Sequence, residues 1–255
     1  MKVNEIATIL SNDNIATDIY SMIIKTAAAK WAVPGQFVSL YTNDESKKLP
    51  RPISICEIDK EASTLRLVYR VAGEGTKQFS SLSAGDKLHL LGPLGNGFTI
   101  EDKYKAPMVV GGGIGIPPML ELSKQLTGEV VAVLGYRSDE TFLVDQFIDN
   151  ADTYIASDDG SIGTHGTVVD AIKENELKPD VIYACGPKPM LRGLAALAKE
   201  MGIDCYVSME ERMACGIGAC LGCVCQSTEV DDHSLVKNKR ICKDGPVFKS
   251  TEVEL

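Results

Sequence analysis

The sequence predicts a multidomain α+β protein: a six-stranded antiparallel β-barrel, a parallel α/β domain and a small cysteine-rich module. Three observations lead to this prediction. Short segments of alternating apolar residues follow one another over the first hundred residues, a pattern typical of small barrels. From residue 107 strand-like and helix-like segments alternate. Closely spaced cysteines then fill the last segment, so the predicted domains are residues 1–102, 103–209 and 210–255.

The charge and composition argue against several classes of function. The 255 residues carry a net charge of −9 and a sequence pI near 4.9. This acidic balance disfavours nucleic acid and anionic membrane surfaces, whose binding proteins present basic surface. No apolar leader follows Met1, and no apolar run approaches the roughly 18 residues of a membrane span. We therefore expect a cytoplasmic protein, in which cysteines more often bind metal or act in redox chemistry.

The elements of the first two domains follow from hydrophobic periodicity and turn residues. The predicted barrel strands cover residues 4–10, 18–26, 36–42, 53–59, 64–70 and 87–91, with a helical turn around 75–82. The predicted strands of the α/β domain cover residues 108–110, 130–134, 152–156, 180–184 and 205–209, and its helices cover 119–126, 168–174 and 189–201. Strands that alternate with helices in this way form a parallel sheet with right-handed crossovers.

The spacing of the C-terminal cysteines indicates a [2Fe–2S] centre. Cys215, Cys220 and Cys223 have the spacing C-x4-C-x2-C, and Cys242 follows at a distance, which is the plant-type pattern. Each tetrahedral iron needs two thiolates beyond its two bridging sulfides. Glycines in the loop let the backbone approach the cluster, so that N–H groups can hydrogen-bond to its sulfurs. Cys225 could substitute for Cys223 as a ligand, but we interpret it as a nearby free thiol.

Two other interpretations of these cysteines are less favoured. Zinc ribbons usually contain two C-x2-C pairs, whereas only Cys220 and Cys223 form such a pair here. Disulfides require an oxidising compartment, and nothing in the sequence indicates export.

A glycine-rich turn and a later Cys-Gly-Pro turn indicate a nucleotide site. The turn at residues 111–115 joins a strand to a helix, where backbone N–H groups can hold a pyrophosphate. Cys185 ends a later strand and is expected at the same crevice beside a nicotinamide ring, although a buried thiol and a plain turn are an equal alternative. The candidate residues are Gly111, Gly112, Gly113, Gly115, Cys185, Gly186 and Pro187. Arg137 or Ser138 would suit NADP and Asp139 would suit NAD, so the sequence leaves this choice open.

Three short motifs in the barrel are candidates for flavin binding. The first motif contains the charge of Arg51, the stiff backbone of Pro52 and the hydroxyl of Ser54, which could hold a diphosphate and reach a ring nitrogen. An arginine in such a motif is, however, often only a solvated surface residue. Two further motifs, at residues 68–70 and 75–76, offer an aromatic face, a second cation and a backbone anion site. Nicotinamide transfers two electrons as hydride, whereas an iron–sulfur cluster takes one at a time. A flavin can convert between them, so a chain with both sites is expected to hold one.

Together these motifs resemble the electron-transfer subunits of type B dihydroorotate dehydrogenases, a family in the ferredoxin reductase superfamily. The resemblance runs over nearly the whole chain, and the cysteine segment is its most specific part. The matching segments, in order, are residues 51–54, 69–76, 91–97, 111–118, 185–187 and 209–220, followed by Cys223, Cys242 and residues 244–248.

The resemblance implies three cofactor sites and a partner. It implies FAD contacts from Arg51, Pro52, Ile53, Ser54, Val68, Tyr69, Arg70, Gly75 and Thr76. It implies cluster ligation by Cys215, Cys220, Cys223 and Cys242. Members of this family work with a separate catalytic subunit that carries FMN and oxidises dihydroorotate to orotate in pyrimidine synthesis, two copies of each subunit assembling together. Electrons would pass from FMN to the cluster, to FAD and to NAD+.

The histidines support a relay function without substrate chemistry of its own. Dihydroorotate oxidation needs a base beside the substrate, and His89, His165 and His233 stand in no recognisable catalytic setting. We therefore predict no catalytic residue in this chain. The alternative functions are a stand-alone NAD(P)H reductase for a ferredoxin or an oxygenase, and a zinc-stabilised binding module without flavin or iron.

Overall fold

The N-terminal part of the chain is a closed antiparallel β-barrel. The computed structural model describes residues 1–44, 46–230 and 235–255. The barrel strands are β1 (Val3–Ala16), β2 (Ile19–Lys25), β3 (Phe37–Tyr41), β4 (Arg51–Asp59), β5 (Thr64–Arg70) and β6 (Lys87–Leu94), with helix α1 (Glu74–Ser80) between β5 and β6. They close in the order β1-β2-β5-β4-β3-β6, which confirms the predicted six-stranded antiparallel barrel. Strand β1 is longer than predicted because its polar second half continues as a hairpin with β2, where Asn14 pairs with Tyr20.

The α/β domain is built on a seven-stranded sheet. Its strands are β7 (Pro107–Gly112), β8 (Val131–Tyr136), β9 (Asp152–Ser157), β10 (Thr164–His165), β11 (Val181–Cys185) and β12 (Asp204–Ser208), joined at one edge by β15 (Val247–Lys249). Its helices are α2 (Pro117–Gln125), α3 (Val144–Ile148), α4 (Val168–Glu174) and α5 (Lys188–Met201). The order is β10-β9-β8-β7-β11-β12-β15. Every neighbouring pair is parallel except β12 with β15, so the predicted parallel sheet is confirmed with one antiparallel edge strand.

The C-terminal segment forms a short ribbon and then returns to the main sheet. The ribbon pairs β13 (Val224–Gln226) with β14 (Asn238–Arg240). Strand β15 then pairs with β12, with Val207 opposite Phe248. The segment also contacts the barrel side of the molecule: the N–H of Asn96, just after β6, donates to the Gly245 carbonyl at 2.6 Å. The cysteine module is therefore hydrogen-bonded both to the main sheet and to the segment that follows the barrel.

Charged side chains fix the barrel against the α/β domain. The Ile58 N–H of β4 donates to the Glu121 carboxylate of α2 at 2.8 Å. Glu57 pairs with Arg66 at 2.5 Å and also with Lys124 of α2. The contacts of Ile58 and Glu57 with α2 therefore join the barrel to the α/β domain. Within the described residues, no helix is long and apolar enough to cross a bilayer.

Candidate redox-cofactor site

The first three cysteines of the motif lie in one loop, between β12 and β13, whose backbone N–H groups point at their sulfur atoms. Cys215 Sγ accepts from the N–H groups of Ile217 and Cys220 at 3.5 and 3.4 Å. Cys220 Sγ accepts from the Gly222 N–H at 3.4 Å. The N–H of Cys242, in the turn after β14, donates to Cys223 Sγ at 3.4 Å. Backbone dipoles arranged in this way stabilise sulfur in its anionic, metal-binding form.

The ionisation of Cys215 fits a metal ligand. Burial alone would raise the pKa of the Cys215 thiol, but the N–H groups of Ile217 and Cys220 outweigh it and lower the pKa to about 6. Cys215 is therefore mostly thiolate at neutral pH. Burial and the neighbouring Cys223 sulfur raise the pKa of Cys242 to about 12, so a metal bound at Cys242 would have to displace a proton.

The four sulfurs fall into two pairs, which suits two irons. The Cys220 N–H donates to Cys215 Sγ and the Cys242 N–H donates to Cys223 Sγ, and within each pair one side chain shifts the pKa of the other. In the part of the chain that the structure describes, no three His, Cys, Asp or Glu side chains converge on one metal position. A structural zinc ion needs four ligands around a single point. Two pairs of thiols match a [2Fe–2S] cluster, in which each iron takes two thiolates.

Cys225 lies outside these pairs. It is buried on β13, and its thiol approaches the Lys239 carbonyl of β14 at 3.5 Å. Burial raises its pKa. These contacts support the prediction that Cys225 is a free thiol. All eight cysteines are free, which gives the disulfide interpretation no support.

The barrel brings together flavin-motif residues that are distant in sequence. A Cβ on Gly75 would stand 2.0 Å from Arg51 Nε, so glycine lets the guanidinium lie across the start of α1. Thr76 Oγ1 accepts N–H groups from Ala72 and Gly73 at 2.9 and 3.2 Å, which holds this turn rigid. Arg51 also donates to the Lys47 carbonyl at 3.2 Å. The result is a fixed cation beside a fixed backbone turn, which suits a diphosphate.

Strand alternation divides the other flavin-motif residues between two faces. Tyr69 is buried inside the barrel, where its hydroxyl donates to Asn12 Oδ1 at 3.1 Å, and Ile53 packs in the same interior core. These two residues can therefore offer only backbone atoms to a flavin. Val68 and Arg70 face outward instead, and Arg70 Nη2 lies 3.7 Å from where a Cβ on Gly113 would stand. Arg70 thus connects the flavin motif to the glycine-rich turn.

The glycine-rich turn and the Cys-Gly-Pro turn meet at one edge of the sheet. Gly111 of β7 pairs with Cys185 of the neighbouring parallel strand β11. A Cβ on Gly115 would stand 2.3 Å from the Cys185 carbonyl oxygen, so the two turns touch only because glycine is present. Both turns follow the carboxyl ends of their strands, where open α/β sheets bind ligands. Burial raises the pKa of Cys185 to about 12, so its thiol is neutral there.

Sequence reasoning missed Met190, which packs against both turns. A Cβ on Gly112 would stand 2.5 Å from Met190 Sδ, and a Cβ on Gly186 would stand 2.5 Å from Met190 Cε. The only sequence signal was its position in the first turn of the helix after Pro187. Its side chain is half-buried at this position.

The described histidines lie away from the crevice. His89 Nε2 hydrogen-bonds to Asn4 Oδ1 at 2.5 Å, and its ring stacks on Tyr41. His165 is exposed on β10 at the sheet edge. His233 lies outside the described residues.

Known proteins are similar to this chain in sequence. Residues 210–254 match the model of the iron–sulfur cluster binding domain of dihydroorotate dehydrogenase B. The electron transfer subunit of dihydroorotate dehydrogenase B (NAD(+)) from Fusobacterium nucleatum is 42% identical, and the alignment covers 100% of both chains. The subunit of the same name from Listeria monocytogenes serotype 4a is 44% identical, with 97% of each chain covered.

Solved structures give the same fold. A structure described as the NADH-dependent reduced ferredoxin-NADP oxidoreductase, reported with insights into flavin-based electron bifurcation, has a TM-score of 0.87 and 30% identity over 97% of this chain and 89% of that one. The ferredoxin reductase of carbazole 1,9a-dioxygenase has a TM-score of 0.68 at 19% identity, over 79% of this chain and 67% of that one.

The fold and the cysteine loop thus define an oxidoreductase of the ferredoxin reductase type with an FAD-binding barrel and an iron–sulfur domain. The full-length relatives narrow this class further. The chain belongs to the family of dihydroorotate dehydrogenase B (NAD(+)) electron transfer subunits, as its sequence motifs predict.

Proposed function

We propose that this chain relays electrons from the FMN of a separate catalytic subunit, through a [2Fe–2S] cluster and FAD, to NAD+. The relay would serve the oxidation of dihydroorotate to orotate in pyrimidine synthesis. The observation that carries the proposal is the full-length similarity to electron transfer subunits of dihydroorotate dehydrogenase B. The paired thiols, the flavin motif and the glycine crevice in one fold support it.

Each part of the chain has a distinct task in this proposal. The four paired cysteines hold the cluster, and their backbone donors stabilise its negative charge. Arg51, Ser54 and Thr76 bind FAD from the barrel, while Arg70 reaches toward the nucleotide turn. The two turns at residues 111–115 and 185–187 seat the NAD+ pyrophosphate and nicotinamide. Bound FAD supplies the conversion between single electrons and hydride.

The partner and the compartment complete the proposal. The described histidines lie at peripheral positions, which is consistent with a substrate base on the catalytic subunit. We expect two copies of each subunit in the complex, and NAD+ rather than NADP+ as acceptor, because the relatives carry NAD(+) in their name. We also expect a cytoplasmic protein, since all eight cysteines are free.

Co-purification tests this proposal against the stand-alone reductase. An affinity-tagged chain, expressed with the host's FMN-containing dihydroorotate dehydrogenase subunit, should elute with equal amounts of that subunit, at the native mass of two copies of each. The complex should reduce NAD+ when dihydroorotate is added. An untagged partner that fails to bind, together with rapid NAD(P)H-dependent reduction of a soluble ferredoxin, would favour the stand-alone reductase instead.

A further inference from the structure

The Ser39 hydroxyl is a buried polar group that the protein leaves without a partner. Ser39 lies in the middle of β3 and is 0% exposed. Its Oγ has no hydrogen-bond partner among the residues that the structure describes. A buried hydroxyl without a partner destabilises a protein, and such groups in native structures call for a specific explanation, such as an absent ion. The hydroxyl therefore points to an acceptor that the polypeptide does not itself provide.

Strand alternation directs this hydroxyl toward the cysteine module. Val38 and Leu40 point into the barrel core. Phe37, on the opposite face of β3, packs in the same apolar cluster as Cys223 and Cys242. Ser39 is two residues from Phe37 and so shares its outward face. This part of the outer face of β3 is therefore the surface on which the cysteine module rests.

Gly216 places the cysteine loop directly against Ser39. Gly216 follows Cys215 and has a φ of +69°, a left-handed conformation that favours glycine. A Cβ at this position would stand 2.8 Å from Ser39 Oγ and 3.2 Å from a Leu94 methyl group. Any larger residue would fill the space in front of the hydroxyl. Glycine keeps that space open beside the first cluster ligand.

Ser39 also adjoins the flavin motif. In the β3–β4 ladder its register partner is Pro52, the second residue of that motif. Ser39 therefore lies in the short stretch of barrel wall between the flavin motif and the cysteine loop. This position lies between the two proposed redox sites.

We propose that the Ser39 hydroxyl donates a hydrogen bond to a sulfur atom of the [2Fe–2S] cluster and thereby raises the cluster's reduction potential. The inference rests on the cluster assignment in the proposed function. Reduction adds negative charge to the cluster, so a donor at its sulfur stabilises the reduced form more than the oxidised form. Hydrogen bonds to the sulfurs are among the features that set the potentials of such clusters.

Redox titration of the cofactor-loaded protein tests the proposal. Ser39→Ala should shift the cluster midpoint to a more negative potential and leave the flavin midpoint unchanged. Ser39→Thr keeps a hydroxyl and should return the cluster midpoint toward the wild-type value. Ser123→Ala is the matched control, because Ser123 is a buried serine whose hydroxyl already donates to the Leu120 carbonyl at 2.8 Å. This control should leave both midpoints unchanged.

The possible outcomes distinguish a hydrogen bond to the cluster from a packing effect and from a failure of the proposed function. A wild-type cluster midpoint in Ser39→Ala with full iron content would overturn it, and so would a flavin shift in place of a cluster shift. Equal shifts in Ser39→Thr and Ser39→Ala, or loss of the cluster in both, would assign the effect to packing and also overturn it. Loss of the cluster in Ser39→Ala with retention in Ser39→Thr would support it. A wild-type protein that binds no cluster after reconstitution would instead contradict the proposed function itself.

Discussion

Among the four proposed cluster ligands, Cys220 is the one whose loss best separates the proposed cluster site from the proposed flavin site. It is exposed and lies in the loop after β12, whereas the flavin motif belongs to strands β4 and β5 and the start of α1. We expect Cys220→Ser to lose nearly all cluster iron and acid-labile sulfide while retaining FAD. Iron and sulfide assays, with flavin fluorescence after denaturation, measure both quantities.

Cys225→Ser is the matched control for that variant. Its thiol is directed at the Lys239 carbonyl, so its removal should leave the iron content at the wild-type level. Loss of the cluster in Cys225→Ser but not in Cys220→Ser would show that the ligand pairs are misassigned. Loss of FAD together with iron in Cys220→Ser would contradict the prediction that the cluster and FAD occupy separate sites.

Arg51 should hold the flavin through a charge-assisted hydrogen bond. Its guanidinium is fixed by Gly75 and by the Lys47 carbonyl, so it meets the cofactor without losing further conformational freedom. Arg51→Ala should weaken FAD binding by about 1.5–3 kcal/mol, or roughly 10- to 150-fold in Kd. Fluorescence titration of the flavin-depleted protein with FAD measures this change.

Arg192→Ala serves as the control for this measurement. Arg192 is exposed on α5 and donates to the Leu255 carbonyl, away from the flavin motif. Its replacement should leave the FAD Kd unchanged. Equal affinities for Arg51→Ala and wild type would remove Arg51 from the FAD site.

At the scale of secondary-structure elements, the Glu57 network should make the barrel–α2 junction sensitive to acid. Burial alone would raise the pKa of Glu57, but hydrogen bonds from Lys124 and Arg66 hold it below its usual value. A folded-state pKa below the unfolded value of about 4.3 gives stabilisation that is present above that value. The stabilisation is lost as the pH falls through the folded-state pKa.

Glu57→Gln should therefore lower the free energy of unfolding at pH 7 by about 1.5–3 kcal/mol, because it removes charged hydrogen bonds. The difference from wild type should shrink below about pH 4. Urea unfolding across this pH range measures both effects. Glu61→Gln, at an exposed turn position, is the control and should be neutral. A Glu57→Gln difference that stays constant down to pH 2 would contradict the role of this ion pair.

The elements differ in how far the sequence predicts them. Periodicity predicts the barrel strands, the parallel strands other than β10, and helices α2, α4 and α5. It misses α3, β10 and β13 to β15, which have two to five residues each and are held by tertiary contacts. Alternation along β5 also turns the Tyr69 side chain into the barrel, so the predicted contact of Tyr69 with FAD would come from its backbone.

The sequence also does not predict the contacts between distant elements that build the candidate site. The cysteine spacing indicates the cluster type by itself, because ligand spacing is a local property. The approach of Gly75 to Arg51 and of Gly216 to Ser39 depends on how the barrel closes and where the loop rests on it. No pattern within either segment predicts these contacts.

At the scale of the whole molecule, the cysteine module contacts both of the larger domains. The Met209 N–H donates to the Pro246 carbonyl at 2.9 Å, and Asn96 of the barrel bridges to Pro246 as well. The cysteine loop is thereby held against β3, and the flavin motif lies on the adjacent strand β4. This arrangement would place the proposed one-electron and two-electron sites in series within a single chain.

Dihydroorotate-driven reduction of NAD+ tests this series arrangement most directly. The complex of this chain with the FMN-containing subunit should produce NADH, and the same complex with Cys220→Ser should not. The Cys220→Ser chain should still pass electrons from NADH to ferricyanide through FAD, which shows that its flavin and nucleotide sites are intact. Wild-type rates of dihydroorotate-driven NADH formation in a Cys220→Ser complex that contains no cluster iron would contradict the relay.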